Sequence, residues 1–344
     1  MRLSDFDYEL PDDLIAQEPA FRREKSRMLV VNRTRRGFRD DEFVNFPSCL
    51  NSGDVLVLNN TKVFPARLFG KTETGATVEI FLIEKLPDSI WRALARPARR
   101  LKPGKRVVFD SNLAGTIVKN LADGGVQIEF DFNGDFYDVL SRVGRTPLPP
   151  YIKRSSDGDS RDDRERYQTI YAKSSGAIAA PTAGLHFTDT ILDRIRSRGV
   201  EIIEITLHVG YGTFEPVRVE ELSQHTVQPE RYEIDARAAE ILNSARDGNR
   251  RIVAVGTTTT RALEHAVTKY GGFEAASDIA DLTITPGKGF KAVSALLTNF
   301  HLPRSSLLIL VSTFGGHELI MNAYGHAVAS RYRFYSYGDC MFVE

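Results

Sequence analysis

The chain has 344 residues, 42% hydrophobic and 26% charged, the composition of a folded protein long enough for one large or two smaller domains. Lysine plus arginine and aspartate plus glutamate both total 45, so no global field draws the chain to nucleic acid or membrane, and a polyanion must be met by a local patch. Cys49 and Cys340 stand far apart in sequence with no second thiol near either, which fits a reducing compartment and argues against a zinc site built on thiolates.

The first eleven residues carry acids where a signal peptide would place its apolar core. The longest apolar run, 307–311, is too short to span a bilayer, so a cytoplasmic location is expected. Residues 6–15 suggest a docking turn and a short helix. A charged stretch, 22–27, leads into a buried strand at 28–31, and a second apolar strand at 55–58 runs into the polar turn Asn59-Asn60-Thr61.

From about Phe64, strands are predicted at 66–71, 77–84, 90–94, 106–109, 114–118 and 126–130, separated by turn signals such as Thr74-Gly75 and Pro103-Gly104. Six short strands without an intervening helix make a compact β-barrel or sandwich. A brief helix at 135–143 and the stiff connector Thr146-Pro147-Leu148-Pro149-Pro150 close that block. Residues 153–166, nearly all charge, Ser and Gly, read as a mobile surface loop.

Helices and strands then alternate. Helices are predicted at 189–198, capped by Thr188, and at 236–246, 261–270 and 318–330; strands at 202–207, 252–255, 282–284 and 307–311. The fold class expected is α/β, with a larger barrel-like, mainly parallel domain from 1–62 and 147–344 and a small all-β barrel inserted at 63–146.

The polar clusters of the larger domain fall where strands end, which is where open α/β sheets bind ligands. Residues 179–187, Ala-Ala-Pro-Thr-Ala-Gly-Leu-His-Phe, are too apolar for a solvated loop, while Pro181 and Gly184 bar a regular helix or central strand. A buried, ligand-facing turn carrying Thr182 and His186 is the reading. His208-Val209-Gly210-Tyr211-Gly212 lacks the third glycine of a dinucleotide fingerprint. Gly256-Thr257-Thr258-Thr259-Thr260-Arg261 opens a helix whose first-turn N–H groups suit a carboxylate or phosphate, although ordinary threonine capping explains the pattern nearly as well. Thr298-Asn299-Phe300-His301 and Tyr335-Ser336-Tyr337-Gly338-Asp339 complete the set. His186, His208, His225 and His301 match no compact metal motif, so no metal is expected. Arg92, Arg96, Arg99, Arg100, Lys102, Lys105 and Arg106 occur without an intervening acid beside Trp91, a pattern that fits phosphate gripping and base stacking on RNA as well as a solvated hairpin.

These clusters together resemble the S-adenosylmethionine:tRNA ribosyltransferase-isomerase family of queuosine biosynthesis. Further residues that carry the resemblance are Phe6-Asp7-Tyr8, Leu10-Pro11, Leu14-Ile15-Ala16-Gln17, Ser26-Arg27, Asn59-Asn60-Thr61, Leu148-Pro149-Pro150-Tyr151-Ile152, Tyr167-Gln168-Thr169 and the segment 332–339. The resemblance implies transfer and isomerisation of the ribosyl part of S-adenosylmethionine onto 7-aminomethyl-7-deazaguanine at the wobble position of tRNA, giving epoxyqueuosine with adenine and methionine released. It implies S-adenosylmethionine as co-substrate, no metal and no prosthetic group, a tRNA partner met at its anticodon region, no membrane, and a monomer.

That chemistry needs a base at the 5′ carbon beside the sulfonium and a proton for departing adenine. His186, His208 and His301 are the candidates for these roles, with Asp339 in reserve. Thr182, Gly184, Gly210, Gly212, Thr257, Thr258, Arg261 and Asn299 are expected to bind the co-substrate, with Thr257, Thr258 and Arg261 at its carboxylate. Three positions depart from the family pattern: Gln228 where a second histidine is frequent, Ser294 where an acid is frequent, and Thr285 where an aromatic is common. An RNA methyltransferase and a non-catalytic RNA-binding module remain as alternatives. The first predicts a glycine-rich loop after the first strand, and none follows 28–31.

Overall fold

The structure, a computed structural model, describes residues 1–154, 161–214 and 216–344. It is a mixed α/β fold with a nine-stranded sheet and a closed six-stranded barrel. The sheet runs from Ala276–Ala280 through Glu230–Ile234, Glu201–Leu207, Val55–Asn59, Ile252–Val255, Ala295–Asn299, Cys340–Val343 and Arg27–Asn32 to Gly37–Glu42. Four central strands, from Glu201–Leu207 to Ala295–Asn299, are mutually parallel, and so are the pair Cys340–Val343 and Arg27–Asn32. The remaining pairings, at both flanks and between Ala295–Asn299 and Cys340–Val343, are antiparallel. Strands from both sides of the barrel in sequence thus share one sheet. Both faces are covered: Val55, Val57 and Ala254 pack into one core cluster, and Leu56, Val253 and Phe342 into the other.

The barrel strands are Arg67–Thr72, Thr77–Lys85, Ile90–Arg96, Arg106–Asp110, Leu113–Asn120 and Gly125–Phe132, all antiparallel, as their alternation and turn signals predict. Closure depends on close strand approach at Gly70, where a Cβ would meet Val107 Cγ1 at 2.7 Å and the Val108 carbonyl oxygen at 2.9 Å. The helix Phe136–Val143 plugs one end, its start capped by the Asp135 carboxylate.

Three expectations need correction. Residues 307–311 lie in a helix, Ser306–Gly315, started by the Ser305 hydroxyl accepting from Leu308 N. A helix buried on nearly every side shows no polar face, so its apolar run imitates a strand. Residues 282–284 form no strand; the local strand is Ala276–Ala280. In the stretch 153–166, residues 155–160 lie outside the described residues, but Arg161–Arg166 is helical and Asp163 is only 2% exposed. Arg154 donates to both Asp163 oxygens (2.8 and 2.9 Å) and the Tyr337 hydroxyl donates to one (3.0 Å), so charge here marks an internal clamp as well as a surface. No single helix among the described residues is long and apolar enough to cross a membrane.

Candidate active site

The four parallel strands end at one edge of the sheet, delivering Asn59, His208, Gly256 and Asn299 side by side. Because Cys340–Val343 runs the opposite way, with Cys340 paired to Asn299, the turn that precedes it reaches the same edge. A cleft of about 600 Å³, counted to its open mouth, lies there. One wall is the apolar segment 179–183, which runs into the 3₁₀ turn Thr182–His186. Tyr151, Tyr167, Tyr335 and Phe300 supply aromatic surface.

Between Ile252–Val255 and the helix Thr257–Tyr270, Gly256 adopts φ +94°, ψ 151°, a conformation open in practice only to glycine. Having no side chain, Gly256 leaves the helix start without a side-chain cap. The four threonines then divide. Thr259 and Thr260 turn their hydroxyls back to the carbonyls of Val255 (2.7 Å) and Gly256 (3.1 Å), and the helix begins four residues earlier than predicted. Thr257 and Thr258 face the cleft. They also line an adjoining chamber together with Leu307, Gly212, His225, Gln228 and Arg261. Arg261 is held there by Glu230, at 2.6 Å, and by the Gln228 carbonyl at 3.1 Å. Glu230 also accepts from Gly210 N at 2.9 Å, so Arg261 and Gly210 meet through an acid that nothing in the spacing identified. Gly184 packs against Tyr171 and Thr169 instead of lining the cleft.

The candidate proton carriers separate by depth. His301 lines the cleft, its Nε2 2.8 Å from the Thr298 hydroxyl. Its backbone is gripped on both sides: Tyr324 OH accepts from its N–H at 3.0 Å, and Tyr8 OH donates to its carbonyl at 2.5 Å. Burial depresses its pKa to about 3, so the ring is neutral at pH 7. His186 has the same depressed value, about 3, from burial and then the charges of Arg23 and Arg333. It does not line the cleft but stands behind Asn299, with Nε2 at 3.4 Å from Asn299 Nδ2 and Nδ1 at 2.9 Å from Ser26 Oγ. Asn299 Nδ2 is oriented by the carbonyls of Tyr335 (3.1 Å) and Asp339 (3.4 Å), which puts its Oδ1, buried without a partner, on the opposite side. His208 is bound to Thr61 Oγ1 at 2.8 Å under Gly176, with its pKa lowered mainly by burial, and Asp339 accepts from the backbone N–H groups of Arg27 (2.9 Å) and Arg333 (2.8 Å). Neither His208 nor Asp339 lines the cleft. Burial raises the Asp339 pKa, and its geometry is that of a carboxylate organising the turn behind the site.

Of the family departures, Gln228 packs over Gly212 and lines the adjoining chamber, whereas the Ser294 hydroxyl accepts from Ile252 N within the sheet and Thr285 touches neither space. Tyr151, Tyr167 and Ser336, which line the cleft, were visible in the sequence only as motif residues. Among the described residues no His, Cys, Asp and Glu group gathers that could hold a metal.

The basic block is less uniform than its sequence suggests. Arg92 pairs with Asp123, in the turn before Gly125–Phe132, and Arg106 with Asp131, within that strand, so acids distant in sequence neutralise both. Arg96, Arg99 and Lys102 are exposed, Lys105 is half-buried, and the Arg100 side chain lies outside the described residues. Trp91, expected to stack a base, is 3% exposed inside the barrel between Phe64 and Phe136, because the inward phase of Ile90–Arg96 falls on it.

Aromatic and small-residue walls at one end and an uncapped helix at the other suit a nucleoside with an anionic tail, which places the protein among α/β enzymes that act on nucleoside co-substrates. Comparison with known proteins narrows this class to one family. A sequence model described as queuosine biosynthesis protein matches residues 3–343. Two S-adenosylmethionine:tRNA ribosyltransferase-isomerases, from Symbiobacterium thermophilum and Syntrophotalea carbinolica, are 49% and 47% identical over the full length of both chains. The crystal structure of S-adenosylmethionine tRNA ribosyltransferase from Thermotoga maritima is 35% identical, with a TM-score of 0.56 over 99% of this chain and all of that one. The chain belongs to the queuosine biosynthesis protein family.

Proposed function

We propose that the sheet-edge cleft and its adjoining chamber are where this enzyme binds S-adenosylmethionine and transfers its ribosyl part to tRNA. The enzyme transfers and isomerises that ribosyl moiety onto 7-aminomethyl-7-deazaguanine in tRNA, giving epoxyqueuosine, adenine and methionine. The observation that carries the site is the uncapped start of Thr257–Tyr270, shared as a wall by both spaces. It suits the methionine carboxylate, and the aromatic space beside it suits the nucleoside. Arg261, already neutralised by Glu230, adds a pair of opposite charges that matches an amino-acid zwitterion.

His301 is the base in this reading. Its ring is neutral at pH 7 and so open to the proton of the 5′ carbon, although burial weakens it as a base. The imidazolium so formed is strongly acidic in its buried setting and passes the proton to a ring nitrogen of departing adenine. Sulfonium cleavage needs no acid, because the thioether leaves uncharged. His186 holds Asn299 in place, and Asn299 Oδ1 is the free acceptor for a donor on the co-substrate. Thr182 shapes the wall opposite. The acceptor is met at the tRNA anticodon region, with the inserted unit 63–146 contributing phosphate contacts through Arg96, Arg99 and Lys102. A tRNA substrate and two unpaired cysteines support a cytoplasmic site of action.

The test is incubation with ribose-labelled S-adenosylmethionine and tRNA bearing the aminomethyl-deazaguanine. Ribose label appearing in tRNA with stoichiometric adenine supports the reading; methyl label alone, or binding without transfer, overturns it.

A further inference from the structure

A second and larger space lies beside the cleft. It is a groove of about 1700 Å³, counted to its open mouth, between the barrel and the connector that follows it. Among the described residues that line it, five carry cationic side chains and one, Glu79, is an acid, which Arg67 already neutralises at 2.8 Å. Arg154 is held by Asp163. Arg96 and Lys153 are exposed, and Arg145 lies over the Phe69 ring at 4.6 Å. The groove also holds two partly buried rings in edge contact, Phe81 and Tyr211, at 5.9 Å.

We propose that this groove receives the single-stranded RNA flanking the nucleotide that enters the cleft. Cations beside partly exposed rings supply both things a single strand offers, phosphates to neutralise and base faces to stack. The buried Trp91 supplies neither. Continuity with the cleft comes from two separate segments. Tyr151 lines the cleft while Pro150 and Ile152 line the groove, and Val209 lines the cleft while Tyr211 lines the groove. The two spaces thus share these segments as walls, and a strand with one base in the cleft passes its neighbour into the groove. The stiff prolines of the connector form the groove's wall.

The inference rests on the cleft being the site of tRNA modification, and the experiment separates the two. Binding of an unmodified anticodon stem-loop RNA to the full-length enzyme is measured across a salt series. Arg96→Ala with Lys153→Ala flattens the slope of log affinity against log salt by about 0.7 per phosphate contact removed. Phe81→Leu and Tyr211→Leu each weaken binding by about tenfold with the slope unchanged. Arg99→Ala with Lys102→Ala, on the outer surface, has the smaller effect. S-adenosylmethionine affinity, measured for every variant, stays at the wild-type value and reports an intact fold. Wild-type affinity and slope in the groove variants, or an equal loss from the outer pair, overturns the groove. Failure of the wild-type enzyme to bind the RNA at all overturns the functional reading with it.

Discussion

His186 and His301 read alike in sequence, each beside apolar and small residues, and the structure gives them different work. His301 borders the cleft; His186 reaches it only through Asn299. His301→Ala is therefore expected to lower kcat by about 100-fold or more. His186→Ala should mainly raise the KM for S-adenosylmethionine, and steady-state kinetics on both variants would distinguish the roles. Equal loss of kcat in both would return His186 to the chemistry. Both rings also tie stability to pH. Their folded pKa of about 3 lies below the ordinary value near 6.5, so the unfolded chain binds more protons between these limits. Stability is complete above pH 6.5 and falls with acidification by about 1.4 kcal/mol per pH unit for each ring. Denaturant titrations from pH 7 to 4 should show a slope reduced by that amount in His186→Gln and again in His301→Gln; an unaltered slope would mean the rings are solvated. None of this ranking was legible in the sequence, because it depends on burial contributed by residues far away in the chain, such as Ser26, 160 positions from His186, and Tyr8, 293 positions from His301.

At the scale of elements, the helix Thr257–Tyr270 has its geometry decided by one glycine. A Cβ at Gly256 finds room, the nearest side-chain atom being Thr258 Oγ1 at 3.7 Å, but not an allowed backbone conformation. Gly256→Ala should cost about 1–3 kcal/mol of stability and swing the helix start out of line. Chemical denaturation and S-adenosylmethionine titration check both effects, and wild-type affinity in a destabilised variant would detach the helix start from binding. Elements were legible where one face meets water. The barrel strands alternate, and the predicted Thr188 cap does accept from Ile191 N, at 3.3 Å. Fully buried strands were legible where the apolar run is unbroken, as at 55–58 and 252–255, and not where it is interrupted. Ala295–Asn299 and Cys340–Val343 are buried at every residue, one ending in Thr-Asn and the other starting with Cys, so neither shows a period. The helix Ser306–Gly315 has too little polar surface to betray its own.

For the whole molecule, the closed barrel was readable from the change in texture near Phe64, while the antiparallel flanks of the sheet were not, since pairing direction leaves little trace in side chains. The barrel has its own core, with Leu68, Ile80, Ile128 and Leu140 in one cluster. Gly70→Val, which forces a side chain against Val107 and the Val108 carbonyl, should lower barrel stability by about 1–3 kcal/mol. S-adenosylmethionine affinity in the sheet domain should survive while tRNA affinity drops, as calorimetry with each ligand would show. A parallel loss of both affinities would make the two units one cooperative body.

The strand Cys340–Val343 also bears on how the protein is made. It lies between Ala295–Asn299 and Arg27–Asn32, and Arg27 and Asp339, which bond at its start, are 312 positions apart. During synthesis, the strand Arg27–Asn32 and its hairpin partner therefore remain cut off from the rest of the sheet until residues 340–343 leave the ribosome. The cleft cannot assemble before that moment, because the turn carrying Tyr335 and Ser336 is anchored by the same late strand. A nascent chain of this kind is expected to fold its barrel before its cleft, with an interval in which Arg27–Asn32 and Gly37–Glu42 stay unpaired with the rest of the sheet.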